Sequence, residues 1–332
     1  MIKTSSFEPT KRFRPTHIQT IYPTYVSRPS NIKRDRERFE LLDGDFVDLD
    51  WAGQQYTNSS NPRIVLILHG LCGSSSSNYV LGLQQQLLDQ GIASVAMNFR
   101  GCSGEPNRLL RAYHSGETSD MNEVFFALAE RYPAASFASV GYSLGANAML
   151  KWHGEMGPNS PLVAAVAVSS PYDLSLSTNR MNRGISVLYQ RHLVQGLIHY
   201  VECKLAHYRK QQDWENYKKL RALGSLVSTK TFVEFDGLVT APLFGYDSAE
   251  HYYEKCSSLP FLAQIKTPTL LIHALDDPFV HAEAIPTAAH LAADTVLELS
   301  EFGGHVGFVN GTFRKPNFWL DTRISDYLVE RL

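Results

Sequence analysis

Short apolar runs bounded by turn residues alternate along the chain with longer stretches of helical spacing. Uninterrupted apolar runs of this length are typical of strands that a parallel sheet buries on both faces. Six segments have this character, at residues 64–68, 92–99, 137–140, 162–168, 269–274 and 295–299. The pattern predicts one mostly parallel sheet that contains these six strands.

Helical spacing fills the intervals between several of these runs. After the first run, apolar residues recur at Leu83, Leu87 and Leu88, and residues 318–332 form the last segment of this kind. Between the second and third runs, the helical positions are Met121, Val124, Phe125, Leu128 and Ala129. Strands that alternate with helices are typical of a doubly wound α/β fold, whose ligands lie at the carboxyl ends of the strands.

Residues 171–258 interrupt this alternation. The segment has no strand of the parallel kind, and its apolar positions follow a helical stripe at Val194, Leu197, Ile198, Val201, Leu205 and Tyr208. We interpret it as a helical cap over the strand ends. The cap is inserted into a core of residues 36–170 and 259–332, and residues 1–35 are expected to form an N-terminal arm.

Composition and charge narrow the class of protein. The 332 residues include 31 basic and 33 acidic side chains, a net charge of −2. Proteins that bind nucleic acid chiefly through its phosphates need a strong basic excess, so we expect no nucleic-acid partner. The chain is 44% hydrophobic and 11% aromatic, which argues against disorder.

The cysteines and the N-terminus bear on the compartment. The four cysteines are far apart and form no C-x-x-C pair, so we expect buried free thiols in a reducing compartment; they are Cys72, Cys102, Cys203 and Cys256. Residues 1–14 lack the apolar segment of a secretory signal, and no run approaches the roughly 18 apolar residues of a spanning helix. These observations favour a cytoplasmic protein and leave peripheral membrane contact and oligomeric state open.

The sequence Gly-Tyr-Ser-Leu-Gly at 141–145 matches the G-x-S-x-G pattern of a nucleophile elbow. Such an elbow needs small residues at both glycine positions, because the strand turns sharply into a helix and holds the serine in a strained conformation. The match follows a predicted strand and opens a stretch with helical spacing. Ser143 is therefore the candidate nucleophile.

A serine hydroxyl attacks a carbonyl efficiently only when a base removes its proton and a carboxylate orients that base. Of the twelve histidines, His305 is the best candidate base, because a Gly-Gly-His segment follows the last predicted strand. The acid is expected between serine and histidine in chain order. Asp276 and Asp277 directly follow a predicted strand; we select Asp277, with Asp276 as the alternate and Asp173 as a third candidate.

Backbone amides must also stabilise the oxyanion that forms during acyl transfer. We expect one from Leu144, directly after the nucleophile, and one from Leu71 in the loop after the first predicted strand. Four aromatic residues near strand ends are candidate substrate-binding residues, namely Tyr142, Phe244, Tyr246 and Phe308. The dinucleotide, phosphate-loop, zinc-protease and EF-hand patterns are missing, so the sequence predicts neither a cofactor nor a metal.

These motifs together resemble the α/β-hydrolase superfamily and, more narrowly, its YheT-like branch of esterases. The matching segments are spread over almost the whole chain, at residues 14–21, 69–71, 98–105, 114–120, 141–145, 234–236, 240–242, 276–278 and 304–305. The resemblance implies an α/β-hydrolase fold and a serine hydrolase with Ser143 as nucleophile, Asp277 as orienting acid and His305 as base. It does not fix the substrate, because members of the branch are linked to small and medium acyl esters and to lipid esters.

The favoured hypothesis is hydrolysis of carboxylic esters with small to medium acyl chains through an acyl-enzyme. The alternatives are a lipid-directed lipase or phospholipase, an acyltransferase with the same nucleophile, and a non-catalytic binding protein with the same fold. Some relatives carry an H-x4-D motif tied to acyl transfer, but five residues separate His114 from Asp120. A structural role for His114 is therefore expected.

The predicted cap is more basic than the rest of the chain. Between residues 173 and 223 it has nine basic and four acidic side chains. Most such excesses are solvated helical faces. The alternative is that Arg180, Arg183 or Lys204 recruits an anionic substrate or a lipid.

Overall fold

The first nine strands of the chain form one sheet. In a computed structural model that describes residues 1–26, 28 and 32–332, these strands are β1 (Ile2–Thr4), β2 (Arg34–Glu40), β3 (Phe46–Ala52), β4 (Arg63–Leu68), β5 (Ala93–Asn98), β6 (Ser136–Tyr142), β7 (Leu162–Val168), β8 (Thr269–Ala274) and β9 (Thr295–Ser300). Their order across the sheet is β1-β9-β8-β7-β6-β4-β5-β3-β2. Neighbours from β1 to β5 in this order are parallel, whereas β3 pairs antiparallel with both β5 and β2.

Helices cover both faces of the sheet and its carboxyl edge. They are α1 (Thr16–Tyr25), α2 (Asn78–Asp89), α3 (Ser119–Arg131), α4 (Leu144–Met156), α5 (Leu174–Met181), α6 (Ser186–Gln211), α7 (Trp214–Arg221), α8 (Phe232–Phe235), α9 (Ala241–Phe244), α10 (Ala249–Cys256) and α11 (Trp319–Val329). One π-helical turn, Asp236–Thr240, joins α8 to α9. A hairpin of β10 (Val309–Thr312) and β11 (Lys315–Phe318) precedes α11.

Alternate residues of the central strands face two separate hydrophobic clusters, because successive side chains of a strand point to opposite faces. On β4, Leu66 and Leu68 pack with α3 and α4 in one cluster. Val65 and Ile67 pack with α2 and α11 in the other. Burial on both faces explains why these strands are continuous apolar runs. The predicted mostly parallel sheet flanked by helices is confirmed.

The segment predicted as an N-terminal arm, residues 1–35, packs against the core in the part that the structure describes. Strand β1 extends the sheet by pairing with β9, and α1 lies against the loop that carries His305. Strand β2 begins at Arg34, inside the predicted arm, and residues 27 and 29–31 of that arm lie outside the described residues. The described residues of this segment therefore contribute directly to the core and to the surroundings of the candidate site.

Helices α5 to α10 lie between β7 and β8 and form the cap region. A cap cluster of apolar side chains joins α6, α7, α8 and the π-helical turn: Val201, Tyr208, Leu220, Phe235 and Val239. Helices α5 and α10 pack together in a separate cluster. The end of the cap is tied to α4 by Asn147, whose amide donates to the carbonyl of Cys256 at 2.8 Å and accepts from the amide of Ser258 at 2.9 Å. The insertion point places the cap above the carboxyl ends of the strands.

The cysteines are less buried than expected. Cys256 is buried, Cys102 and Cys203 are half-buried, and Cys72 is exposed; all four are free thiols. The exposed position of Cys72 follows from its place in the loop after β4, at the rim of the candidate site. Within the described residues, no helix combines the length and the apolar character needed to cross a bilayer.

Candidate active site

Ser143 lies at a sharp turn between β6 and α4. Its backbone φ of 51° is in a region that residues with a side chain rarely adopt. The amide of Ser143 donates to the carbonyl of Val168 at 2.9 Å, which ties the turn to the neighbouring strand β7. The predicted strand–turn–helix setting of the G-x-S-x-G motif is therefore present.

Backbone packing requires both glycines of the motif. A Cβ atom on Gly141 would lie 2.6 Å from the Cα atom of Ala146. A Cβ atom on Gly145 would lie 2.5 Å from the carbonyl oxygen of His69 and 2.7 Å from that of Leu68. The small residues let the first turn of α4 approach the end of β4, which brings the serine close to the loop after β4.

Ser143, His305 and Asp277 form a continuous hydrogen-bonded chain. The Ser143 Oγ atom lies 2.8 Å from His305 Nε2, and His305 Nδ1 lies 2.8 Å from Asp277 Oδ2. Because an ionised carboxylate only accepts, the imidazole donates Nδ1–H to Asp277 and leaves Nε2 free to accept the serine proton. The imidazole stacks on the ring of Phe279, with 4.1 Å between centroids and 14° between planes.

The three candidate acids have different partners. Asp277 accepts from His305 and, through Oδ1, from the amide of Phe279 at 2.8 Å. Asp173 instead caps α5 by accepting from the amide of Leu176 at 2.9 Å. Of the three, the structure brings Asp277 to the imidazole.

Asp276 fixes the backbone of the histidine loop. Its Oδ1 accepts from the amide of Gly304 and its Oδ2 from the hydroxyl of Thr16, both at 2.8 Å. Burial raises the pKa of this carboxyl, and the charge of Asp277 adds to the effect. The loop is strained, with Val306 at a φ of 58°, so it depends on such contacts to hold its shape.

Helix α1 supplies further contacts to this loop that the site prediction missed. The hydroxyl of Thr20 accepts from the amide of His305 at 3.1 Å. The side chain of Gln19 accepts from the amide of Val309 at 2.7 Å and donates to its carbonyl at 2.9 Å. Gln19 and Thr20 fall in the segment 14–21 that carried part of the family resemblance. The resemblance of segment 14–21 to the family was the one sequence signal for these contacts, but it did not indicate that the segment binds the His305 loop.

The loop after β4 presents an unpaired amide to the site. The amide of Gly73 donates to the carbonyl of Gly70 at 3.0 Å, which closes a tight turn around Leu71 and Cys72. Within the described residues, the amides of Leu71 and Leu144 have no hydrogen-bond acceptor, and both residues line the same cavity as Ser143. Leu144 is also the first residue of α4, whose dipole is positive at that end.

His69 supports this loop from beneath. Its Nδ1 donates to the carbonyl of Gly70 at 2.8 Å, and its Nε2 accepts from the amide of Phe99 at 3.2 Å. Burial lowers the pKa of His69 to about 4, so the ring is neutral at pH 7, as this donor–acceptor pattern requires. His69 therefore has a structural role in the loop.

A cavity of about 670 Å³ has Ser143 and His305 in its wall. Part of its lining lies on α1, where Tyr25 is 75% exposed and Ile21 43% exposed; we call this part the open branch. Another part lies in the cap and includes several members of the cap cluster; we call it the cap branch. The cavity can hold an organic ligand with its reactive bond at the serine, since pockets of 300–1,000 Å³ are usual for such ligands.

Three of the four predicted substrate-binding aromatics do not line this cavity. Tyr142 and Phe308 are fully buried because their rings pack beneath the strand ends, with Tyr142 against Tyr79 and Phe308 against Trp319. Tyr246 contacts the Cys256 thiol at the back of the cap instead. Only Phe244 lines the cavity. Proximity to a strand end in the sequence therefore does not distinguish an aromatic residue of the core from one that lines the cavity.

His114 and Asp120 are not partners. His114 is buried and lines the cavity; its Nδ1 accepts from the amide of Gly116 at 3.1 Å, and its ring contacts Phe244. Asp120 forms a buried ion pair with Arg100 at 2.6 Å. The histidine thus orders its own loop, the kind of role that its spacing from Asp120 suggested.

The three cap cations singled out from sequence are in different environments. Arg183 is exposed, and Arg180 is half-buried and donates to the Ser186 hydroxyl at 3.0 Å. Lys204 is buried and lines the cavity. In the part of the chain that the structure describes, no group of three or more His, Cys, Asp or Glu side chains could hold a metal ion.

The fold and the serine elbow define the class of protein. Residues 63–312 match the family model described as alpha/beta hydrolase fold, so the chain belongs to this family. It is 40% identical over 328 aligned residues to the Escherichia coli (strain K12) protein named "Putative esterase YheT". The aligned residues cover 99% of this chain and 94% of that protein. The resemblance to the YheT-like branch is therefore confirmed.

More distant relatives and solved structures agree with this family. The chain is 27% identical to the human protein named Phospholipase ABHD3, over 93% of this chain and 75% of that protein. Among solved structures, the esterase Pf2001 of Pyrococcus furiosus matches with a TM-score of 0.55 at 16% identity, covering 92% of this chain and 97% of that one. The structural match supports the fold alone.

Proposed function

We propose that this protein hydrolyses carboxylic esters through an acyl-enzyme on Ser143. The observation that carries the proposal is the chain of two 2.8 Å contacts that links Ser143 Oγ to His305 and His305 to Asp277. The names of two relatives, an esterase and a phospholipase, agree with ester substrates.

In the first step His305 Nε2 takes the proton of Ser143 as Oγ attacks the acyl carbonyl. Asp277 holds the tautomer that leaves Nε2 unprotonated and stabilises the imidazolium that forms. The amides of Leu71 and Leu144 bind the oxyanion, helped by the positive end of α4. The imidazolium then protonates the leaving alcohol.

Water completes the reaction by the same route. His305 Nε2 removes a proton from the water molecule, the resulting hydroxide attacks the acyl carbon, and the proton returns to Ser143 Oγ as the acid leaves. The side chain of His305 is only 9% exposed, so the proton transfers take place in a site largely shielded from solvent. In such a site the oxyanion contacts are stronger than they would be in water.

The cavity bears on the acyl group. Its cap branch is walled largely by apolar side chains, which favours hydrocarbon acyl chains over polar ones. Small to medium chains are the proposed substrates. Lipid esters are the second candidate, supported by the continuous extent of the cavity from the surface at Tyr25 into the cap.

The test is the rate of hydrolysis of p-nitrophenyl esters with acyl chains of two to sixteen carbons. We expect turnover by the wild type and a loss of about 10⁴-fold or more in Ser143→Ala. Ser225→Ala, an exposed serine of the cap, is the matched control and should keep full activity. A rate optimum beyond about twelve carbons would favour the lipid alternative.

Labelling with a fluorophosphonate probe provides a second readout. The probe should modify the wild type and Ser225→Ala but not Ser143→Ala. Unchanged turnover in Ser143→Ala would refute the assignment of the nucleophile. If the wild type neither reacts with the probe nor cleaves any ester, the remaining hypothesis is a non-catalytic binding protein with this fold.

A further inference from the structure

Lys204 is a buried cation in the wall of the proposed substrate cavity. It lies on α6, and its side chain is 2% exposed. Its ammonium donates to Asn107 Oδ1 at 2.7 Å and to the carbonyl of Leu109. An ammonium has three N–H donors, so these two neutral acceptors leave one N–H without an oxygen acceptor among the described residues; the ring of Tyr208 is the other nearby partner, with its centroid 5.4 Å from the Nζ atom.

The charge of Lys204 is not matched by a carboxylate in direct contact. Asp45 acts on it electrostatically, but the Asp45 side chain already accepts from Arg100 at 3.0 Å and from the side chain of Asn107 at 2.5 Å. The positive charge of Arg100 opposes protonation of Lys204. Burial lowers the pKa of Lys204 to about 7. A buried cation without an adjacent anion is costly, and an anionic ligand group would relieve that cost.

The surroundings of Lys204 show which part of a substrate would reach it. Side chains of the cap cluster line the same cavity, including Val201, Leu220 and Val239, and each of these is less than a tenth exposed. They are far more buried than Tyr25 in the open branch, which is 75% exposed. The alcohol must leave during acylation while the acyl group stays on Ser143. The more buried cap branch therefore suits the acyl chain, and the open branch suits the alcohol.

We propose that the cap branch takes an acyl chain that ends in a carboxylate, and that Lys204 binds this carboxylate. The substrate class is then the monoesters of dicarboxylic acids, with an apolar chain between the ester and the free acid. The inference rests on the proposed function, since it assigns the far end of the same acyl group. It makes Lys204 a specificity-determining residue.

The main rival is a purely structural Lys204, which would hold α6 to the loop at Asn107 and Leu109. Lys204→Met distinguishes the two because methionine keeps the length and apolar stem of lysine without the charge. Lys210→Met is the matched control, since Lys210 is an exposed lysine of the same helix. Thermal unfolding of both variants shows whether the fold is retained.

The experiment compares two series of p-nitrophenyl esters of equal length, from four to twelve carbons, that end in a methyl group or in a carboxylate. In the wild type we expect kcat/KM to be about ten- to a hundredfold higher for the carboxylate series at the best length, the range of a charge-assisted hydrogen bond. Lys204→Met should lose this preference, so that its kcat/KM values for the two series become nearly equal at each length. Lys210→Met should behave as the wild type.

Several outcomes would overturn the inference while leaving the proposed function intact. The first is a wild type that cleaves the methyl series and shows no preference for the carboxylate series at any chain length. The second is a Lys204→Met variant that keeps the preference. The third is a Lys204→Met variant whose activity falls equally on both series and whose thermal stability also falls. Inactivity of the wild type on both series counts against the proposed function instead.

Binding then tests Lys204 independently of catalysis. Dicarboxylic acids of six to ten carbons should raise the melting temperature of Ser143→Ala more than monocarboxylic acids of equal length. The difference should vanish in the double variant with Lys204→Met. No difference in Ser143→Ala would overturn the inference even if no ester is cleaved.

Discussion

Asp276 and Asp277 are adjacent in the chain, and their carboxylates bind two different parts of the same loop. Asp277 Oδ2 lies 2.8 Å from the imidazole Nδ1 of His305, whereas Asp276 Oδ1 lies 2.8 Å from the backbone amide of Gly304. The end of β8 thus orients the ring with one residue and the loop backbone with the other.

This division of roles predicts a large difference between two conservative substitutions. Asp277→Asn can no longer hold the imidazole tautomer that accepts the serine proton, so kcat should fall about 10⁴-fold. Asp276→Asn retains an oxygen that accepts from Gly304, so its kcat should stay within about tenfold of the wild type. Both rates are measured on p-nitrophenyl butyrate. Equal losses in the two variants would contradict the assignment of the acid.

The second glycine of the G-x-S-x-G motif, Gly145, should be intolerant of a side chain. Gly145→Ala places a Cβ atom against the carbonyls of His69 and Leu68, and the backbone must shift to accommodate it. The free energy of unfolding, measured with urea, should fall by about 1–3 kcal/mol. Gly237→Ala is the control: it has open space around the added atom, and its free energy of unfolding should stay level or rise by less than about 1 kcal/mol.

The hydroxyl of Thr20 should matter for turnover although it lies outside the hydrogen-bonded triad. Thr20→Val removes the acceptor for the His305 amide at similar side-chain volume, so kcat should fall about tenfold. Thr20→Ser restores the acceptor and should recover most of the rate. Thr10→Val, which removes an exposed hydroxyl of the same N-terminal segment, is expected to have no effect. A loss in Thr20→Val that serine does not recover would point to packing instead.

Asp236 should make stability depend on pH. Its carboxylate is buried in the cap, where it accepts from Thr240 at 2.6 Å and Tyr253 at 2.7 Å, and burial raises its pKa to about 6. The folded state therefore holds this proton more tightly than the unfolded chain, whose Asp has a pKa near 3.9. The associated stability is fully present below about pH 4 and is lost as the pH rises through about 6.

Asp236→Asn tests this dependence. Between pH 4 and pH 7 the free energy of unfolding of the wild type should fall by about 2 kcal/mol relative to the variant. Urea unfolding at several pH values measures the free energy of unfolding of both proteins. The difference between the two values at each pH cancels the contribution of every other titrating group. Parallel pH profiles would show that Asp236 keeps its ordinary pKa.

Local patterns were sufficient for much of the fold. The six predicted strands are observed, with bounds shifted by no more than two residues, and so are the helices at α2, α3 and α11. Strand β2 was missed because six of its seven residues are charged, and β3 because the buried Asp48 and Asp50 interrupt its apolar residues. In register, Arg36 faces Asp50 and Arg38 faces Asp48, and each pair forms an ion pair. From sequence alone, a row of charged residues is interpreted as a solvated loop, because the partner strand that pairs with those charges is not known.

The sequence by itself determined the features that depend on neighbouring residues: the alternation of strands and helices, the elbow at Ser143 and the candidate His305. Their signals are periodicity and turn chemistry, which act over a few positions. Only the tertiary structure decided which acid meets the imidazole and which residues brace its loop. It also decided which side chains face the cavity, and it placed Lys204 inside rather than on the surface of the cap. These depend on contacts across the chain, such as the 162 residues that separate Ser143 from His305, and no local pattern encodes them.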